Sequence, residues 1–174
     1  MELLAGGIVV GASLALLWWL AASLLAPWFY QGAPFVPSRR RSAQLICNAL
    51  NVGTATRLMD LGSGDGRILI EASRRGARAE GIEINPLLAL ASRCWAYCGG
   101  VKSRVSVTTG DLYTADVSNA DVVVIYGLPS VVKKLEGKLS REMKPGACVA
   151  SIMFRFPQWA PERVLEGPIY IYRL

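Results

Sequence analysis

The sequence predicts an open, doubly wound, mostly parallel α/β sheet preceded by one N-terminal transmembrane helix. Three observations carry this reading. Residues 3–26 contain no charged side chain, the chain beyond residue 41 alternates short β-type runs with amphipathic helical runs, and a glycine-rich turn stands where the first strand meets the next helix. The 174 residues leave room for one domain plus a short appended segment, because a domain typically takes ~100–200 residues. The expected organisation is an anchor over 1–30, a connector with a basic run over 31–41 and a ligand-binding domain over 42–174.

Taken as a helix, the run from Leu3 to Ala26 would extend about 36 Å, beyond the ~30 Å hydrocarbon thickness of a bilayer. Pro27, Trp28, Phe29 and Tyr30 form an aromatic collar, and Arg39, Arg40 and Arg41 follow it. Basic residues favour the cytoplasmic side. The expectation is a single-pass membrane protein with its N-terminus out, the lipid bilayer crossed by residues 3–26 and the bulk of the chain on the cytoplasmic side. Met1-Glu2 lacks the basic start of a cleaved signal peptide.

After the turn-rich stretch 31–38, residues 42–50 read as a helix with Ala43, Ile46, Cys47 and Leu50 on one face. A first strand follows over 57–61, then a helix over 67–75 stopped by Gly76. Residues 77–84 make the second strand. The next helix, 86–97, opens on a favoured Pro86 and places Leu87, Leu88, Ala91 and Trp95 on one face. Strands are expected at 105–109 and at 121–126, where D-V-V-V-I-Y suits a strand buried on both faces. Only about ten residues separate these two strands, so their connection is a short turn rather than a helix. Residues 131–143 form a helix with Val131, Val132, Leu135, Leu139 and Met143 inward and Lys133, Lys134, Glu136 and Lys138 outward. A fifth strand spans 147–154 and a last one 168–172.

Composition narrows the chemistry. The chain has no histidine, which excludes Ser-His-Asp triads, His-ligated zinc and histidine bases. All 19 Lys and Arg lie from Arg39 onward, with 12 of the 13 acids, so that part carries 19 − 12 = +7. Such a balance suits an anionic membrane surface or a nucleic acid equally. Cys47, Cys94, Cys98 and Cys148 read as reduced thiols.

Asp60-Leu61-Gly62-Ser63-Gly64-Asp65-Gly66-Arg67 occupies the strand-to-helix turn, where glycines let a ligand approach the backbone. Glu83, 19 residues beyond Gly64 at the end of the second strand, is placed to accept both hydroxyls of a ribose. A dinucleotide fits poorly, because Arg67 replaces the third glycine and Asp60 and Asp65 would repel a phosphate. A P-loop is excluded by the missing G-K-[ST]. A cationic ligand with an α-amino group suits the acids.

At these residues the sequence resembles class I S-adenosylmethionine-dependent methyltransferases, which have a Rossmann-like sheet. The resemblance implies that Asp60, Gly62, Ser63, Gly64 and Gly66 wrap the methionine part of S-adenosylmethionine, that Glu83 holds the ribose and that Ile84 and Asn85 line the adenine. Asp111-Leu112 would meet the adenine amino group, and S-adenosylhomocysteine would be the product. P-F-V-P-S at 34–38, G-I-E-I-N-P at 81–86, I-Y-G-L-P at 125–129 and F-R-F-P-Q-W-A-P at 154–161 narrow the likeness. They resemble the membrane-anchored protein-lysine methyltransferases, including those acting on the adenine nucleotide translocase and the ATP synthase c-subunit. In that family the connector helps form the site, which implicates Phe35, Val36 and Pro37.

The acceptor is expected at the end of the fourth strand. There Tyr126-Gly127-Leu128-Pro129 replaces the [DN]-P-P-[YF] common in enzymes that methylate planar amino groups, so Tyr126 is the residue expected to orient an amine. Phe156 and Trp159 either wall the acceptor channel or pack in the core. The first expectation is a lysine of a membrane protein as acceptor, with no nucleic acid partner and no metal. A lipid head group or small molecule, and a non-catalytic binding protein, are the alternatives.

Overall fold

The computed structural model describes residues 11, 13–21, 38 and 40–174. The chain falls into two compact units, Met1–Pro34 and Phe35–Leu174. In the first, residues 13–21 are helical and exposed, a rise of about 14 Å. The transmembrane helix expected over 3–26, and with it the single-pass localisation, is corrected: no helix among the described residues is long and apolar enough to cross a membrane. Residues 3–10, 12 and 22–26 of that run lie outside the described residues.

The second unit is built on one seven-stranded sheet of order β3-β2-β1-β4-β5-β7-β6. Its elements are α1 (Arg40–Ala49), β1 (Arg57–Leu61), α2 (Arg67–Arg74), β2 (Arg78–Glu83), α3 (Pro86–Cys98), β3 (Val105–Thr109), β4 (Val122–Ile125), α4 (Pro129–Glu142), β5 (Cys148–Ile152), β6 (Arg163–Leu165) and β7 (Ile169–Arg173). Strands β1 to β5 pair in parallel. The chain closes with β7 antiparallel to β5 and β6 antiparallel to β7. The short β6, with exposed Arg163 and Val164, carries no alternation of its own and was not expected from the sequence.

Two apolar layers hold the sheet. On one face Ile46 and Cys47 of α1, Leu69 and Ala72 of α2 and Ala89 of α3 pack on Leu58, Val122, Val124 and Ala150. On the other, Val132, Leu135 and Leu139 of α4 pack on Leu61, Val123, Ile125, Val149 and Tyr172. Each buried Val, Leu or Ile among them contributes about 1.5–3 kcal/mol by leaving water. The D-V-V-V-I-Y run is accordingly buried throughout β4. The β3–β4 connection contains only turns, as its length requires.

Two helix faces depart from the sequence reading. The face of α3 bearing Leu87, Leu88, Ala91 and Trp95 is not the buried one: Ala89, Ser92 and Ala96 are. On α4, Glu136 points inward rather than out, and its Oε1 accepts from the Gln158 N–H at 2.7 Å. A carboxylate can be buried there because a backbone donor satisfies it.

Candidate active site

The strand order reverses between β1 and β4, and the crevice beyond the carboxyl ends of such strands is where ligands bind in open α/β sheets. Leu61 pairs with Ile82 on one side and Ile125 on the other. Gly62, Glu83 and Tyr126, which follow or end these strands, therefore leave the sheet side by side.

The turn after β1 is a cradle of backbone. Gly62 and Ser63 N–H groups both donate to the Ile82 carbonyl, at 2.9 and 3.0 Å. Gly62, Gly64 and Gly66 all have positive φ, at 89°, 53° and 79°, in the left-handed region that glycine enters without strain. At Gly66 a further constraint operates: an added Cβ would lie 2.0 Å from Ser92 Oγ on α3. Above Gly62, by contrast, a Cβ would meet, among the described residues, Leu112 at 4.0 Å, which leaves room for a ligand against this backbone.

Glu83 braces the cradle. Its Oε2 accepts from the Gly64 N–H at 2.8 Å and its Oε1 from the Asn85 N–H at 2.9 Å. Each carboxylate oxygen retains a second lone pair. Asn85 caps α3, its Oδ1 accepting from Leu87 and Leu88 N–H groups, and Ile84 beside it is exposed. Across the crevice the Gly110 N–H donates to the Glu83 carbonyl. Asp111 is exposed, and its Oδ1 accepts from the Tyr113 N–H at 2.9 Å, which brings Leu112 toward Gly62.

The cradle gathers carboxyl groups. Asp60 is 3 % exposed, and burial, with Glu83 and Asp65 nearby, pushes its carboxyl up to about 8. Ser63 Oγ is buried without a hydrogen-bond partner among the described residues. Two buried acids, an orphaned hydroxyl and an open glycine backbone form a donor and acceptor set that fits a ligand combining an ammonium or sulfonium with hydroxyls. The set also opposes a phosphate. The residues present thus fit S-adenosylmethionine on their own chemistry.

At the end of β4, Tyr126 is half-buried and packs against the core. Phe156 and Trp159 are brought together with Tyr172 of β7 instead of with Tyr126: their ring centroids lie 4.4 Å apart, and 5.1 and 5.6 Å from that of Tyr172. The Phe156 N–H donates to Tyr172 Oη, so of the two places the sequence left open for this pair the core is the one occupied. Phe35, Val36 and Pro37 lie outside the described residues.

Sequence reasoning missed Arg67, treating it only as a lost glycine. Its Nε donates to Asp65 at 2.7 Å and another guanidinium nitrogen donates to the Ser38 carbonyl at 3.1 Å, which ties the end of the connector to the glycine turn. It also missed Ser92, whose small size lets α3 approach Gly66. Neither role has a local signal, because each is a contact across more than 20 residues.

Comparison with known proteins agrees with this geometry. Residues 60–163 match the ANTKMT methyltransferase domain. The chain is 36 % identical over 157 residues to the ATP synthase c-subunit lysine N-methyltransferase of Homo sapiens, covering 90 % of this chain and 67 % of that one. It is 35 % identical over 153 residues to the adenine nucleotide translocase lysine N-methyltransferase of Mus musculus, covering 84 % and 66 %. Among solved structures, an RNA methyltransferase from Salinibacter ruber in complex with S-adenosyl-L-homocysteine superposes with a TM-score of 0.77. It is 42 % identical to this chain and covers 79 % of it and 93 % of its own. A cradle suited to a cationic nucleoside and these likenesses across most of the chain lead to one identity: the protein belongs to the ANTKMT methyltransferase family, and is an S-adenosylmethionine-dependent methyltransferase with a seven-stranded Rossmann-like sheet.

Proposed function

We propose that the protein methylates a lysine side-chain amine of a protein acceptor. The observation that carries this reading is the end of β4, where half-buried Tyr126 emerges beside the cofactor turn and no side-chain amide or carboxylate follows to grip a planar amino group. The relatives named as lysine N-methyltransferases support it. A membrane protein as acceptor rested on the 3–26 anchor, which the described residues do not support.

S-adenosylmethionine supplies an electrophilic methyl on a sulfonium. The chain's part is to bind, align and exclude water. In this proposal Asp60 and Ser63 face the α-amino end, the backbone of Gly62, Gly64 and Gly66 lies along the methionine, and the free lone pairs of Glu83 take the ribose hydroxyls. Ile84, Asn85, Asp111 and Leu112 border the adenine, and Phe35 and Pro37 close the site from the connector that Arg67 ties down. Tyr126 accepts or donates one hydrogen bond to the incoming amine, which must be neutral to attack. An apolar surround favours that neutral form of a group whose ordinary pKa is ~10.4.

A second reading, an RNA acceptor, is favoured by the 42 % identity to the RNA methyltransferase. One experiment separates the two. The full chain is incubated with S-adenosylmethionine labelled in its methyl, host protein extract and host RNA, and the label is followed into protein, RNA and lipid fractions. The expected result is label on lysine of a protein band, with Tyr126→Phe lowering kcat while cofactor affinity holds. Glu83→Gln should weaken cofactor binding about 10- to 100-fold, the cost of a hydrogen bond involving a charged group. Label in RNA alone would replace the lysine reading.

A further inference from the structure

Helix α3 exposes what helices normally hide. Leu90, Trp95 and Tyr97 are 52 %, 58 % and 70 % exposed, and Cys94 and Cys98 are exposed beside them. Leu87, Leu90, Ala91, Cys94, Tyr97 and Cys98 recur at helical spacing, so they form one continuous outward stripe. The helix carries one charge, Arg93, and that guanidinium is turned onto the Val107 carbonyl, donating at 2.7 and 3.0 Å. An apolar helix face of this extent marks an interaction surface.

The charge around the stripe is mainly basic. From Ile84 to Gly110 there is no Asp or Glu. Lys102 and Arg104 follow the helix and are exposed, and Lys102 Nζ stands 5.5 Å from the Tyr97 ring centroid. On the other flank Trp95 borders a groove of about 550 Å³ lined by Arg40, Arg67 and Arg74 and by Asp65 and Glu71; the two acids are engaged by Arg67 and Arg75, and Arg40 and Arg74 are exposed. A second copy on this face would bring basic flanks against basic flanks, and the two acids of the groove are already paired with Arg67 and Arg75. An RNA would use the cations and rings but leave Leu87, Leu90 and Cys94 in water. An anionic lipid surface satisfies all three: acyl chains for the aliphatic stripe, the head-group layer for Trp95 and Tyr97, and lipid phosphates for the basic flanks.

We propose that α3 is a peripheral docking face for an anionic lipid surface, lying on it in the plane of the interface rather than crossing it. This does not depend on which acceptor the enzyme methylates. In the full chain carrying Cys98→Ser, an environment-sensitive nitrobenzoxadiazole label is placed on Cys94. A control label is placed on α4 through Lys133→Cys in a Cys94→Ser, Cys98→Ser background. With vesicles of phosphatidylcholine and phosphatidylserine, the Cys94 label is expected to shift to the blue and brighten several-fold, while the control label stays in water. Vesicles of phosphatidylcholine alone should give a weaker response, and Lys102→Glu with Arg104→Glu should weaken partitioning by at least about tenfold. Four results overturn the proposal: no vesicle binding; binding with the Cys94 label as wet as the control; shielding of Cys94 that needs only higher protein concentration; or equal shielding by polyuridylate.

Discussion

Helices α3 and α4 flank the same sheet, have 13 and 14 residues and both begin on proline, yet they face it in opposite ways. Helix α4 buries Val132, Leu135 and Leu139 completely and turns Lys133 and Lys134 to solvent. Helix α3 buries Ala89, Ser92 and Ala96 and shows Leu90, Trp95 and Tyr97. The cause is separation. α3 lies so near the glycine turn that Ser92 Oγ occupies the place of a Gly66 Cβ, and close approach admits only small side chains. On α4 a glycine contact occurs in the first turn, where a Gly127 Cβ would lie 3.0 Å from Val131; beyond it the large apolar face of Val132, Leu135 and Leu139 fills the gap to the sheet. The difference teaches that a helix beside a ligand-binding turn is positioned by the turn, and its large residues go where room remains.

The largest effect that tests this contrast is expected on α4. Leu135→Ala should cost about 2–5 kcal/mol in urea denaturation, because it opens a cavity in a fully buried layer. Ala89→Leu on α3 should cost about 1–3 kcal/mol by overpacking, and the same change should weaken cofactor binding by pushing α3 off the turn. If Ala89→Leu is neutral, the close approach does not govern α3.

The turn itself has a pH signature. Asp60 is raised from 3.8 to about 8 by burial and by Glu83 and Asp65. Between those values the folded protein holds a proton that the unfolded chain releases, so the Asp60 contribution makes stability fall as pH rises from about 4 to about 8. The slope is at most about 1.4 kcal/mol per pH unit. Comparing denaturation of the parent and Asp60→Asn across this window should show that the variant has lost this component. Cofactor affinity should rise with pH over the same window, since an ionised Asp60 attracts a cationic ligand. The smallest effect is expected at Trp95→Ser, within about 0.5 kcal/mol of the parent; a loss like that of Leu135→Ala would show that the exposed face of α3 is structural.

Much of the fold was legible because the signals are local. The β-branched run of β4 announces a strand buried on both sides, the inward residues of α4 repeat at helical spacing, and the glycines around Ser63 mark the turn where β1 feeds α2. Glu83 was legible from its distance along the chain, since the second strand of a parallel pair must bring its end beside the first. Glu136 was not, because its partner is the Gln158 backbone, 22 residues away. The short β6 was not either, since an exposed edge strand lacks alternation. The expected membrane crossing was drawn from the charge-free run 3–26, the aromatic collar and the basic residues after it, and among the described residues no helix is long and apolar enough to span.

By itself the sequence determined the α/β architecture, the glycine-rich strand-to-helix turn with Asp60 and Asp65, and the absence of histidine chemistry. These follow from periodicity, glycine sterics and composition, which are properties of neighbouring residues. Only the tertiary structure decided that Glu83 braces Gly64 and Asn85, that Arg67 ties Ser38 to the turn, that Phe156 and Trp159 belong to the core and that α3 faces outward. Each of those is set by the distance between elements far apart in the chain, and side-chain volume can be matched to a gap only once that distance exists.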